Sequence, residues 1–558
     1  MRKHYERILH DSESRVQRYL DIQILDENSP FCGGFPKADS LAEPKTAIYR
    51  ATTMTACYLN PESRYYLDAE LGRRLALALA FVRRSQRPGG YFDLINCNFF
   101  SGPDTAFCTK RLLPAYVYLC KVVDGALPAA PEAKAAAAEL KPKYEAIIRD
   151  AADALCHCGF HTPNHRWAIA SVLMLCAKLF DKPECRTAAE AILKEGNDCN
   201  EDGEYAERSA GNYNRINNDA MIMLAVATGD ESYYAPVLRN LEMMLTYIDP
   251  DDSIFTNNST RWDMGKKIYP REYYLEYLYM GYTCRKPELL DAANAIMQMV
   301  ERHALRSFDC LINLMLLPEL AALEHEGCAA PTNYHKYYEG SGIVRCRRGS
   351  WSYTILNNSP SFLFFQHGDF TLTVRIGASF CEHRNFVPAT LAPKDGGYAL
   401  HQTMTGWYYL PFAEKPATSD WWQMDNAHRE KLYGPDMVFD VQVNEVENGL
   451  DIHIVNSGID RAPLRVELAF NAGCRVENEH FMLEGNDGGI VVKDGTLVAS
   501  KGVNGISVGP CFAEHNYTAG KEGSMGRMEG CFTAYLTAYS TFDRTISLRA
   551  LPSSYDQA

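Results

Sequence analysis

The sequence predicts an (α/α)6 toroid followed by a C-terminal antiparallel β-sandwich, on three observations. Apolar residues recur at spacings of three and four through roughly the first 325 residues, the connections between those segments alternate between terse and long, and near Glu326 the period changes to two. With 558 residues, 46% of them hydrophobic, the chain can fill two cores, which are expected over 1–328 and 329–558.

The helical period covers Tyr5–Leu20, Thr46–Leu59, Tyr66–Arg83, Thr105–Cys120, Pro131–Cys156 and His165–Phe180 in the first half of this region. It continues through Glu184–Lys194, Arg215–Ala227, Glu231–Tyr247, Arg271–Tyr282, Glu288–His303 and Asp309–Leu323, giving twelve helices. Short links such as Asp181-Lys182-Pro183 and Thr228-Gly229-Asp230 close hairpins. Longer links, rich in Gly, Asn, Trp, Tyr and charge, precede the helices starting near 45, 104, 164, 214, 271 and 309. Each hairpin alone leaves an apolar face that only its neighbours can bury, so six pairs close into a ring. Alternate links then emerge at one rim, and function is expected at that mouth. Beyond it, Trp351–Leu356, Phe370–Ile376, Asp451–Val455, Leu464–Phe470, Gly489–Val492 and Thr545–Ala550 alternate as half-buried strands do.

A formal net charge of −14, from 70 acidic against 56 basic side chains, argues against a nucleic-acid partner. It leaves room for an anionic sugar in a locally basic pocket, because screening makes near charges count more than the total. The polar N-terminal stretch carries no signal-peptide core, and no apolar run reaches the length of a membrane span, so a cytoplasmic protein without a membrane partner is expected. Many of the 18 cysteines lie in apolar runs, as reduced thiols do. Cys156, His157, Cys158 and His161 lack a second ligand pair at finger-like spacing and read as a helix end.

Four rim segments concentrate functional side chains. In Thr162-Pro163-Asn164-His165-Arg166-Trp167, Thr162 suits an N-cap and Pro163 the first helical position, which puts Asn164 and His165 in a first turn whose free amides favour anions. In the second, Tyr213 sits between Asn212 and Asn214, with Arg208 upstream. The third offers Asn96, Asn98 and Asp104, and the fourth Arg261, Trp262, Lys266 and Lys267. Aromatic faces with amides and cations suit ring-stacked sugars that bear carboxylates. In the sandwich, His367 and His383 mark turns, and His401, Asp425 and His428 can join His383 in a site of nitrogen and oxygen ligands.

The toroid-then-sandwich order, with Pro163-Asn164-His165-Arg166-Trp167, Asn212-Tyr213-Asn214 and Glu382-His383-Arg384-Asn385-Phe386, resembles the heparinase II/III-like group of polysaccharide lyases, which includes broad-range glycosaminoglycan lyases. The resemblance implies that Asn164 and His165 match the family's pair at a helix start, Tyr213 its catalytic tyrosine, and His383 the sandwich histidine, with His367 as the alternative. It also implies one divalent metal ion (Mn, Zn or Ca) in the sandwich, for which His383, His401 and Asp425 are the candidate ligands. The expected partner is an anionic oligosaccharide or polysaccharide.

Elimination across a uronic acid fits these residue types. The carboxylate charge must be neutralised, the proton beside it removed and the leaving oxygen protonated. Asn164 and His165 suit the carboxyl group, Tyr213 the leaving oxygen, with Arg208 lowering the phenol's hold on its proton, and His383 a base on the opposite face. The expected activity is a lyase giving 4,5-unsaturated uronyl products. The alternatives are a hydrolase using paired carboxylates among Asp104, Glu207, Asp263 and Glu272, a uronyl C5-epimerase, and a non-catalytic carbohydrate scaffold.

Overall fold

The computed structural model describes residues 1–37, 41–519 and 525–552. The chain divides into two compact units: Met1–Leu245 with Ile254–Ala330, and Thr246–Ser253 with Pro331 onward. The first unit therefore runs two residues past the expected boundary, and an eight-residue excursion within it, 246–253, belongs to the second.

The first unit is helical. It begins with α1 (Arg2–Ile22), α2 (Pro44–Leu59), α3 (Ala69–Ser85), α4 (Gly102–Val123), α5 (Pro131–Leu155), α6 (Pro163–Phe180) and α7 (Pro183–Leu193). It continues with α8 (Tyr213–Thr228), α9 (Tyr234–Leu245), α10 (Tyr274–Thr283), α11 (Pro287–Arg302), α12 (Leu311–Leu316) and α13 (Pro318–Ala322). Helices α2, α4, α6, α8 and α10 pack side by side in that order, α12 returns against α2, and α13 meets α10. The odd helices α3, α5, α7, α9 and α11 each back onto the one before, and α1 packs on α2 and α12. This is the toroid, with the even helices inside. The last expected helix is broken in two because Pro318 follows Leu317, which leaves the helical region with φ −127° and ψ 69°, as the residue before a proline tends to.

Local chemistry sets the helix ends. Proline stands at the first or second position of α2, α4, α5, α6, α7, α11 and α13, where its missing N–H costs nothing. The α8 to α9 turn is closed by Gly229 at φ +79°, a conformation that glycine takes without strain. Cys156 ends α5, as the sequence suggests, with its Sγ 3.5 Å from the Cys185 Sγ.

The second unit holds two nine-stranded sheets, almost wholly antiparallel. Phe370–Phe380 pairs with Pro463–Asn471 in one, and Gly397–Tyr409 with Lys431–Val446 in the other; among the described strands, Gly488–Val491 runs parallel to its neighbour, Cys531–Tyr539. Alternate residues such as Met437, Phe439, Val441 and Val443 are buried with Leu372, Val374 and Ile376 in a single core, as the period-2 pattern demands. Arg345 anchors the excursion to this unit through the Thr246 carbonyl at 2.9 Å and Asp249 at 2.8 Å.

Candidate active site

The long links gather at the N-terminal ends of α2, α4, α6, α8, α10 and α12, and a cavity of about 760 Å³ opens within the first unit. Tyr213, Trp262, Phe107, Tyr49 and Phe308 give it aromatic walls. Its charged lining is dominated by arginine and lysine. Lys45, Lys110, Arg111 and Arg215 are each paired, to Asp104, Asp219, Asp309 and Glu272, at 2.6–3.0 Å. Arg15, Arg18, Arg271 and Arg306 line it with no carboxylate partner among the described residues. In a chain of net charge −14, this interior is set up for an anion.

A relay of polar contacts links the α6 and α8 starts. Thr162 is the N-cap of α6, but its hydroxyl does not cap the helix; Glu207, from the loop before α8, takes that place. The Asn164 backbone N–H donates to Glu207 Oε2 at 3.1 Å, and Asn164 Nδ2 lies 2.8 Å from both Glu207 oxygens. Arg261 Nε stands 3.3 Å from the same carboxylate, and its guanidinium lies over the Tyr213 ring, 5.0 Å from the centroid. Burial pushes the Glu207 carboxyl above the ordinary range, while its bonds to Asn164 and the charge of Arg261 pull it back.

Tyr213 opens α8, and its backbone N–H donates to Ser209 Oγ at 3.1 Å. Asp263, fully buried, accepts from Ser209 Oγ at 2.8 Å, Ser259 Oγ at 2.6 Å and the Gly211 N–H at 3.0 Å, so one carboxylate pins the loop that presents the tyrosine. A Cβ on Gly211 would come within 2.7 Å of Ile268 and 2.9 Å of Asp263. Gly211→Ala is therefore expected to shift Tyr213 and lower kcat by about 100-fold, since a displacement near 1 Å at reacting groups costs that much. Steady-state kinetics beside a circular-dichroism spectrum checks this, the fold being retained.

His165 is half-buried, its ring edge-on to Phe107 with centroids 5.9 Å apart. Burial lowers its pKa from 6.5 to about 4; Asp104 opposes the shift, and His161, Arg261 and Lys45 reinforce it. The imidazole is thus neutral at neutral pH, with Nδ1 buried and lacking a partner. Between about 4 and 6.5 the unfolded chain binds a proton that the folded chain refuses, so stability falls as pH drops through that window. Urea midpoints of native protein and His165→Gln from pH 7 to 4.5 should show the native protein losing ground to the variant. Parallel curves would contradict the burial.

Other expected contacts are placed differently. Arg166 and Trp167 are turned into the fold, each 2% exposed: Arg166 pairs with Glu195 at 2.8 Å, and Trp167 Nε1 donates to Asp198 at 2.6 Å. They follow Asn164 and His165 on α6, but their side chains serve packing, which corrects their assignment to the substrate. Asn164 is itself fully buried, with its amide N–H groups given to Glu207 and Thr162, so it holds Glu207 rather than meeting a sugar. Arg208 pairs with Glu204 at 3.6 Å, and the guanidinium over Tyr213 is that of Arg261. Asn212 stands at the N-cap position of α8, with no capping bond from its side chain, and lines the cavity with Trp262. Lys266 sits over the Trp262 ring at 4.5 Å. Asn96 is exposed on the turn between strands Phe92–Leu94 and Asn98–Ser101, and Asn98 donates to Ser101 Oγ at 3.1 Å. Asp104 is buried and holds Lys45 at the cavity wall. Of the four carboxylates considered for hydrolysis, only Glu272 lines the cavity, and it is bound to Arg215.

In the second unit, His383 Nε2 lies 3.1 Å from the Thr405 carbonyl on a short strand, His383–Asn385. His367 is 1% exposed and bonded through Nδ1 to the Gly505 backbone, which suits a structural role. The implied metal ligands do not converge. His401 is engaged by Asp440 at 2.8 Å and Thr403 at 3.0 Å, and Asp425 by His428 at 2.9 Å. Among the described residues, the one trio of such side chains with ligand atoms within 4.8 Å of each other is His335, Cys346 and Glu445. There Arg348 already grips the Glu445 carboxylate at 2.6 and 3.0 Å, and burial pushes the Cys346 thiol up to about 12. The set that the resemblance implies therefore does not meet at one cation position among the described residues.

The toroid with a following sandwich is a fold seen in solved polysaccharide lyases. The chain is similar to heparinase III, with 10% identity and a TM-score of 0.55 over 98% of this chain and 86% of that one. It is similar to a Paenibacillus xanthan lyase at 8% identity and TM-score 0.54, covering 98% of this chain and 57% of the other. It also matches a mutant chondroitin AC lyase of Streptomyces coelicolor A3 at 12% identity and TM-score 0.51, over 99% and 80%. No protein-family profile matches the chain, and no curated protein matches it in sequence.

Sequence reasoning passed over most of the cavity's cations. Arg15 and Arg18 sit on α1, an outer helix in the ring, and Lys110 and Arg111 lie mid-helix, where a basic residue ordinarily reads as a solvated face. The signal available was their spacing: Arg15 and Arg18 fall one turn apart on α1, beside its apolar positions.

Proposed function

We propose that the protein is a polysaccharide lyase that cleaves uronic-acid-containing oligosaccharides or polysaccharides of the glycosaminoglycan type by β-elimination. The observation that carries this reading is Tyr213, held at the wall of an arginine-rich cavity beneath the Arg261 guanidinium. The likeness of fold to heparinase III and chondroitin AC lyase supports it.

The substrate's uronate binds in the cavity with its carboxylate against the cationic wall, which lowers the cost of charge building beside C5. Arg261 lies over the Tyr213 ring and holds it at the cavity wall, and the tyrosine reacts from its deprotonated form. The phenolate oxygen takes the C5 proton; the C5–H electron pair becomes the C4=C5 double bond; the C4–O bond breaks, and the regenerated phenol protonates the departing oxygen. Glu207 aims Arg261, and Asn164 holds Glu207. Neutral His165, beside Phe107, offers a hydrogen bond without adding a competing charge. Asp104, Glu207, Asp263 and Glu272 are engaged by Lys45, Asn164, Ser209 and Arg215, which weakens the hydrolase reading built on those four.

The test is a panel of hyaluronan, chondroitin, heparan and alginate oligosaccharides followed by near-ultraviolet absorbance. At least one is expected to yield the conjugated, absorbing product. Cleavage without absorbance, or solvent-deuterium uptake without cleavage, would replace the proposal with the hydrolase or the epimerase.

A further inference from the structure

Two thiols meet away from the cavity. Cys156 ends α5 and Cys185 stands in the first turn of α7, with their Sγ atoms 3.5 Å apart and both unbridged. Among the described residues, no other two cysteine sulfurs are in hydrogen-bond contact. A disulfide holds its sulfurs about 2.05 Å apart, so a closing movement of about 1.5 Å joins these two.

The pair is unequal. Cys156 is half-buried and open to a small reagent, whereas Cys185 is fully buried. Burial raises both thiols, Cys185 to about 12; the hydrogen bond between them then works in opposite directions, easing deprotonation of Cys156 and hindering that of Cys185. At both sulfurs the Lys182 ammonium, in the turn between α6 and α7, favours the thiolate, and the Glu184 carboxylate opposes it. An exposed thiol that loses its proton more readily, backed by a buried one, is the arrangement of an attacking and a resolving cysteine.

Residues 157–184, between the two, hold the whole of α6 and the link that leads to Asn164 and His165. In that link the His161 ring lies edge-on to His165, with centroids 6.3 Å apart. A covalent bond across this segment removes freedom from the unfolded chain and so favours the folded one.

We infer that Cys156 and Cys185 are an oxidative modification site, at which a small disulfide of the glutathione type converts the thiol pair into an intramolecular disulfide that staples α5 to α7. The Cys156 thiolate attacks one sulfur of the small disulfide; its S–S bond breaks, and one half leaves as a thiol with the proton that Cys156 gave up. Cys185 then attacks the Cys156 sulfur of the mixed disulfide, and the second half leaves with the Cys185 proton. Two protein thiols lose two electrons in all, and one small disulfide is reduced to two thiols. The site uses neither Tyr213 nor a substrate, so it stands apart from the proposed function.

The experiment exposes the full chain to oxidised glutathione, blocks remaining thiols with an alkylating agent and maps the peptides by mass spectrometry, beside Cys156→Ser, Cys158→Ser and Cys185→Ala. The native chain and Cys158→Ser are expected to yield peptides joined through Cys156 and Cys185. Cys185→Ala should stop at glutathione on Cys156, and Cys156→Ser should give neither product. Oxidation is expected to raise the thermal midpoint of the native chain by about 5 °C, reversed by dithiothreitol, and to leave that of Cys156→Ser within about 1 °C. Because Cys185 is buried, Cys156→Ser at its half-buried position supplies the comparison if circular dichroism shows Cys185→Ala unfolded. A bridge from Cys156 to Cys158 or Cys176, glutathione persisting on Cys156 of the native chain, no reaction, or a native midpoint that oxidation leaves unchanged or lowers overturns the inference.

Discussion

Tyr213→Phe is expected to lower kcat for formation of the near-ultraviolet product by about 10³-fold while leaving KM within about threefold. The substitution removes one oxygen from a ring held by its backbone bond to Ser209 and by the Arg261 guanidinium above it. Both supports act on the main chain or the ring face, so the ring stays where it is and the substrate still finds its cationic wall. Only the group proposed to carry the proton from C5 to the leaving oxygen is gone. Equal falls in kcat and in affinity would mean that the phenol binds rather than reacts. An unchanged kcat would remove Tyr213 from the chemistry altogether.

Asn164→Ala should cost both stability and rate. The side chain is fully buried and gives its amide to Glu207, and deleting it leaves a buried carboxylate with the Asn164 backbone N–H and Arg261 alone. The expected loss is about 2 kcal/mol, the typical cost of leaving a buried polar group short of a partner. The drop in kcat should reach about 100-fold as Arg261 loses its aim at Tyr213. Asn164→Asp should be worse on both counts, because it sets a second carboxylate against Glu207 in a buried site. Urea unfolding and kinetics on the two variants decide between this role and direct contact with substrate. A large rise in KM with unchanged stability would return Asn164 to the substrate.

The alternation of link lengths exposed the toroid because it is a consequence of topology: only one rim can hold the long links. The helix starts followed from proline, whose lost N–H is harmless in a first turn. The break at Leu317 was legible in Pro318, yet the apolar period running across it masked the stop. Among the strands, Lys431–Val446, the longest, was hidden by Gly434 and Pro435 in its first half, although its second half alternates cleanly. The same contrast holds at the site. Tyr213 could be found because it follows a glycine in a polar loop, and that glycine is required by the crowding around Asp263. Arg166 and Trp167 misled because adjacency in sequence was read as adjacency at the mouth. On a helix, successive residues point about 100° apart, and these two face the protein. Glu207 looked like one more rim carboxylate; its role depends on Asn164, 43 residues away, a pairing that no local pattern discloses.

Bond breakage by the proposed elimination within the arginine-walled cavity consumes no water. Mass spectrometry of the products formed in ¹⁸O-labelled water tests this most directly. Elimination is expected to give fragments whose masses sum to that of the substrate, with no label at either new end and an unsaturated uronyl residue on one of them. Products heavier by one labelled water would contradict it and show that the cavity hydrolyses its substrate instead.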